Sequence, residues 1–225
     1  MSSCDTLVAE RTSRRRATEE TATFRLSTFR APDQPATCAR FVAGHREALA
    51  RHAVLDIDAA DEKWTSNPNV FVVVGEEVAA GALVAGVRIH LAHRRYPLPI
   101  EDSVGEHDSR LYDKIYKGRS GRTGEICGLW RSPTTQLKGL IKDLAIAVIA
   151  LTHGLGVQRV WGLAPAHTLQ FWQSLGYQVD RSLGDRGEFP YPDARYVSRV
   201  VRLDTGQIGN LPPDVRRRIA GQPPF

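Results

Sequence analysis

Apolar and polar residues alternate along TFRLSTFR (23–30), the period of a half-buried strand. After the Pro- and Asp-punctuated APDQPA, CARFVAGHREALARHAV predicts a helix over about 35–53. NPN (67–69) is a turn, and VFVVV (70–74) is a β-branched strand. The charged turn GEE returns the chain into VAAGALVAGVRIHLAH, the second arm of a hairpin. RRYPLPIEDS reads as a loop, and EHDSRLYDKIYKG as a helix closed by Gly118. RTGEICGLWRS is a strand with Gly128 inside it, and an internal glycine marks a bulge or a close approach to the backbone. The polar loop RSPTTQLKG then opens into a helix, with Leu137, Leu140, Ile141, Leu144, Val148 and Leu151 on one face. Gly154 and Gly156 stop it. VQRVWGLA (157–164) is the next strand, and PAHTLQFWQSLG is a helix from Pro165 to Gly176. YQVD opens another strand, and RYVSRVVRLD (195–204) is the last.

That order, β-α-β-β-(α)-β-α-β-α-β-β, predicts an α/β domain around one mixed sheet. Residues 21–204 form the expected domain. Residues 1–20 lack apolar periodicity and read as a disordered basic tail. Residues 205–225 read as a Pro-, Gly- and Arg-rich tail with room for one helical turn. Lys and Arg exceed Asp and Glu by 30 to 25, and the excess gathers at RTSRRR (11–16) and VRRR (215–218). Such clusters are solvated ends, or they attract an acidic partner: nucleic acid, a membrane surface or an acidic carrier protein. Three cysteines (Cys4, Cys38, Cys127), without metal-like spacing, point to reduced thiols and a cytoplasmic protein with no metal. No secretory h-region is visible, and the longest apolar run, LAIAVIALTHGLGV, is too short to span a bilayer. No basic motif interleaved with aromatics points to nucleic acid.

A strand that ends in a polar, Gly-containing loop and opens at once into a helix is suited to hold an anion. The first amides of the helix and its dipole favour phosphate there. In this chain the loop and helix start read Gln136-Leu137-Lys138-Gly139-Leu140-Ile141. This resembles the Gln/Arg-x-x-Gly-x-Gly/Ala motif of the GNAT superfamily of acyltransferases, with Ile141 replacing the last small residue. FWQSLGYQV is similar to the second motif of that superfamily, with Trp172 at the usual tyrosine. The resemblance implies the GNAT (acyl-CoA N-acyltransferase) fold, a mixed, mostly antiparallel sheet flanked by helices. GVRIHLAHRRYPLPIED and GEICGLWRSP further resemble the branch of N-acyl amino acid synthases and acyl-homoserine-lactone synthases. Gly86, Arg88, Leu98, Pro99, Glu101 and Glu125 carry that likeness, with FPYPDARYVSRVV as its substrate-side strand. Gly128 stands where the branch has arginine, with Arg131 nearby.

The implied co-substrate is an acyl-CoA or acyl-phosphopantetheine thioester, with no permanently bound cofactor. Gln136, Leu137, Lys138, Gly139 and Leu140 are expected to hold its phosphates, with Leu129 and Arg131 beside them. Glu125 is expected on one strand face with Cys127, Leu129 and Arg131. There it takes the proton of the attacking amine, or else it is an edge carboxylate paired with Arg88. Arg88 is a candidate for a substrate carboxylate. Trp172 is either a substrate contact or a core aromatic beside Phe171, and its indole is no acid catalyst. His167 reads as a surface residue, and Cys127 has no nucleophilic role. The expected activity moves an acyl group from carrier protein or CoA to the amine of an amino-acid-like small molecule. An acetyl-CoA-dependent N-acetyltransferase and a degenerate, ligand-binding domain remain as alternatives.

Overall fold

The alternating and β-branched segments assemble into a sheet in the order β1-β2-β3-β4-β5-β6-β9-β7, with β8 paired to β9. A computed structural model describes residues 7–11, 23–51, 62–117, 122–135, 137–192 and 194–222. The strands are β1 (Leu7–Arg11), β2 (Phe24–Arg30), β3 (Val70–Glu77), β4 (Ala82–Leu91), β5 (Arg122–Arg131) and β6 (Val157–Pro165). The short β7 (Gln178–Val179) and β8 (Glu188–Phe189) precede β9 (Ser198–Asp204). Every pairing is antiparallel except β5 with β6.

The helices are α1 (Pro35–Ala50), α2 (Pro99–Val104), α3 (Arg110–Tyr112), α4 (Leu140–Gly154), α5 (Leu169–Ser174) and α6 (Pro213–Ala220). The apolar stripe of α4 (Leu140, Leu144, Val148, Leu151) is buried against Val73, Val87, Ile89 and Ile126 on one sheet face. On the other face Phe41 and Val42 of α1 pack on Val72, Val74 and Trp130. Under α2 and α3, Leu98, Ile100, Leu111 and Trp161 form a third cluster. The sheet is therefore covered on both sides, and this explains why β3 and β4 read as nearly continuous apolar runs.

Several sequence expectations change. Leu7–Arg11 of the expected disordered tail pair with β2, whereas Arg14–Arg16 lie outside the described residues. The expected loop RRYPLPIEDS contains α2, because Pro99 suits a first helical position and Glu101 caps the turn from inside. The helix expected over 106–118 is the single turn α3 followed by a π-helical turn, Asp113–Lys117. Pro165 closes β6 instead of opening α5. The expected C-terminal tail is folded as well. Leu211, Val215 and Ile219 are buried in the core beside α4, Lys142 reaches Asp214 at 3.0 Å, and Arg218 pairs with Asp143. An apolar pair spaced four apart is easily lost in a run of arginines, but it suffices to seat one short helix.

Candidate active site

Two irregularities in β5 create the site. The first is its partnership with β6, which runs in register only from Arg122–Val157 to Glu125–Trp161. Beyond that point β5 stays with β4 as far as Arg131, and β6 stays with β9 as far as Pro165. The carboxyl ends of two neighbouring parallel strands thus part. In an open α/β sheet this is where a ligand enters. Glu125 is the last β5 residue before the fork.

The second is a bulge. Arg88 lies opposite Cys127 and Gly86 opposite Trp130, so Gly128 and Leu129 together face Val87. Gly128 takes φ +61°, a conformation natural to glycine, and a Cβ there would come within 3.2 Å of Arg88 Nη1. The extra residue reverses the alternation beyond it. Trp130 joins Glu125 and Cys127 on the α1 side, packed against Phe41. Leu129 packs with the α4 cluster, and Arg131 is registered with Ala85 of that same cluster. The expected single face of Glu125, Cys127, Leu129 and Arg131 is therefore corrected: Leu129 and Arg131 lie on the α4 face.

Around Glu125 the α1 side of the sheet is polar and dry. Glu125 is only 2% exposed, and its Oε2 accepts the Ile100 N–H at 2.7 Å. Burial pushes its carboxyl up to about 8, against the opposing pull of the Ile100 amide and the Arg88 guanidinium. On β4, opposite, Arg88 is buried, stacks over Trp64 at 4.8 Å and donates Nε–H to His90 Nε2 at 3.0 Å. That bond requires a neutral His90, and burial with the Arg88 charge keeps this imidazole well below its usual range. His45 is lowered to about 4 for the same two reasons. Burial raises the Cys127 thiol to about 12, so it is no thiolate. Arg88 is thus a buried cation beside Glu125, at the centre of the site.

On the other face, the loop 132–139 delivers the start of α4. Gly139 is its N-cap residue, at φ +82° with open space where a Cβ would stand. Among the described residues no side chain caps this helix, and Lys138 and Gly139 are exposed. The first amides of a helix have no intrahelical acceptor, so this end offers donors and a positive dipole. Leu137 and Leu140 anchor the loop in the core and contribute backbone only. Gln136 lies outside the described residues. Trp172 is 7% exposed between the rings of Phe171 and Tyr177, 5.1 and 5.2 Å away. It is packed as a core aromatic, the second of the two expectations for this position.

The residues that sequence reasoning missed are those that complete the polar cluster. His90 sits two positions from Arg88, the strand period that puts both on one face, and this signal was present. Trp64 and the Ile100 amide carried no local signal, because they arrive from distant segments.

No protein-family model matches the chain, and no curated protein matches it. Solved structures do. The N-acyl amino acid synthase FeeM from uncultured soil microbes superposes with a TM-score of 0.61 at 12% identity, covering 80% of this chain and 95% of its own. The CoA-dependent acyl-homoserine lactone synthase BjaI, solved with SAM and isopentyl-CoA, superposes at 0.53 and 13% identity, covering 85% of each chain. An acyl-CoA N-acyltransferase from Pseudomonas aeruginosa superposes at 0.57 and 12% identity, covering 80% of this chain and 99% of its own. With its forked parallel pair, bulged strand and open helix start, this chain has the acyl-CoA N-acyltransferase fold.

Proposed function

We propose that the protein is an N-acyltransferase that moves an acyl group from a CoA or carrier-protein thioester to the amine of an amino-acid-like acceptor. One observation carries the reading. A buried carboxylate stands where β5 and β6 part, with a buried arginine on the same face and an uncapped helix start on the other. The two faces suit the two substrates. Phosphates of the donor lie at the amides of Gly139 to Ile141 with Lys138 adding charge, and the thioester passes through the fork. The acceptor lies on the α1 side, its carboxylate toward Arg88.

The chemistry follows from these groups. An amine is protonated near neutral pH, and Glu125, tuned to about 8, is a base matched to it. Glu125 takes one proton from the ammonium, and the lone pair so freed attacks the carbonyl carbon. The backbone at the Gly128 bulge is released from the ladder and can point an N–H at the developing oxyanion. Collapse of the tetrahedral intermediate forms the amide and releases the thiolate, which takes the second proton from the nitrogen as it departs. The fold neighbours, among them synthases named for N-acyl amino acids and acyl-homoserine lactones, support this class.

Mass spectrometry of lipid extracts from cells expressing the protein tests the assignment. New N-acyl amino acids, absent with Glu125→Gln, are the expected result. Stabilisation of the purified protein by acetyl-CoA as strongly as by long-chain acyl-CoA would move it to the N-acetyltransferases.

A further inference from the structure

The turn that bonds Glu125 is held by a second carboxylate that the chemistry above does not use. Glu101, 4% exposed, is folded back on its own turn: its N–H donates to Leu98 O at 2.8 Å and its Oε1 accepts Leu98 N–H at 2.7 Å. The same Oε1 accepts the Tyr116 hydroxyl at 2.8 Å, which ties the turn to the segment after α3. Within this closed turn the Ile100 amide faces outward, and it donates to Glu125 Oε2. Among the described residues no hydrogen bond goes to the other oxygen, Oε1. A buried carboxylate, costly to isolate, thus has one oxygen tethered and one left over.

We propose that Glu101 is a positioning residue: it clamps the Leu98–Glu101 turn so that the Ile100 amide holds one Glu125 oxygen and leaves the other for the substrate. The inference rests on reading Glu125 as the base. Glu101 acts on Glu125 in two opposite ways. Through the clamp it supplies a donor that favours the carboxylate, and through its own charge it disfavours it, as does Asp102. The amide is the larger of the two influences. The other groups facing Glu125 are Arg88 and His90 on β4 and Cys127 on β5, and none of the substitutions at Glu101 and Tyr116 below touches them.

The opposition gives a test with a sign. Glu101→Gln keeps an oxygen for Leu98 and Tyr116 but removes the charge, so Glu125 should ionise at lower pH. Glu101→Ala removes clamp and charge together, so Glu125 should ionise at higher pH. The readout is the carboxyl stretch of Glu125 in infrared difference titrations of the full chain without substrate, assigned by its loss in Glu125→Gln. Shifts of about half a unit to one unit in opposite directions are expected. Tyr116→Phe, which leaves Glu101 in place, should raise the midpoint by less than Glu101→Ala, and it carries the test with Glu101→Gln if the alanine variant does not fold. Midpoints that move the same way or stay within about 0.2 unit overturn the proposal. Because no substrate is present, this outcome is independent of whether acyl transfer is the activity.

Discussion

Glu125 joins burial to chemistry, and both leave measurable traces. Its carboxyl ionises at about 8 in the folded chain, above its ordinary value, so the native state binds a proton that the unfolded chain has released. The sign follows: this stabilisation is complete below about pH 4.5 and is lost as pH rises through about 8. Glu125→Gln removes the term. The variant should gain on the parent by an amount on the order of a few kcal/mol between pH 5 and 9, read from urea midpoints at each pH. A constant difference across that range would mean that Glu125 is not desolvated. In activity the same variant should lose about 10²-fold or more in kcat with donor binding nearly intact, because only basicity is removed. The ascending limb of the pH–rate profile near 8 should vanish with it. Retention of activity within about threefold would make Glu125 structural. Its candidacy was legible in the sequence as the one acid on a strand that also carries Gly128. Its burial was not, since that depends on Ile100 and Trp161, brought by α2 and β6.

At the scale of elements, the bulge and the loop before α4 are built on glycines of similar backbone and different surroundings. Gly128 (φ +61°) and Gly139 (φ +82°) both sit in the left-handed region, where a side chain costs roughly 1–2 kcal/mol. Only Gly128 has a neighbour in the way, Arg88 at 3.2 Å, whereas nothing lies within 4 Å at Gly139. Alanine at either position should lower stability by about that amount. Gly128→Ala should in addition cut kcat, because it displaces Arg88 and the bulge, whereas Gly139→Ala should act on the KM of the donor. Identical kinetic effects would show that the bulge has no separate role. A mid-strand glycine announced the bulge in the sequence. The bulge's consequence for Leu129 and Arg131 was hidden, because a strict period of two holds only until the extra residue is inserted.

For the whole molecule, sequence order predicted the mixed sheet and its central α4, since long apolar stripes and β-branched runs are strong local signals. The ends were misjudged: β1 pairs through backbone hydrogen bonds, and α6 is held by contacts with α4 more than 60 residues away in sequence. Deleting residues 211–225 removes the buried Leu211, Val215 and Ile219 and should cost several kcal/mol, at roughly 1.5–3 kcal/mol for each side chain. A thermal melt checks this, and an unchanged Tm would restore the reading of a solvated tail. Arg216 donates to Gly209 O and Arg218 pairs with Asp143, so these cations belong to the fold before they belong to any partner. The account as a whole holds that both faces of the sheet serve one transfer through the fork between β5 and β6. The most direct measurement incubates the purified protein with long-chain acyl-CoA or acyl carrier protein and a mixture of amino acids, and follows free thiol and N-acyl product by mass spectrometry. The account predicts thiol and amide in equal amounts, both abolished together in Glu125→Gln. Thiol without amide, or no consumption of either thioester, would contradict it.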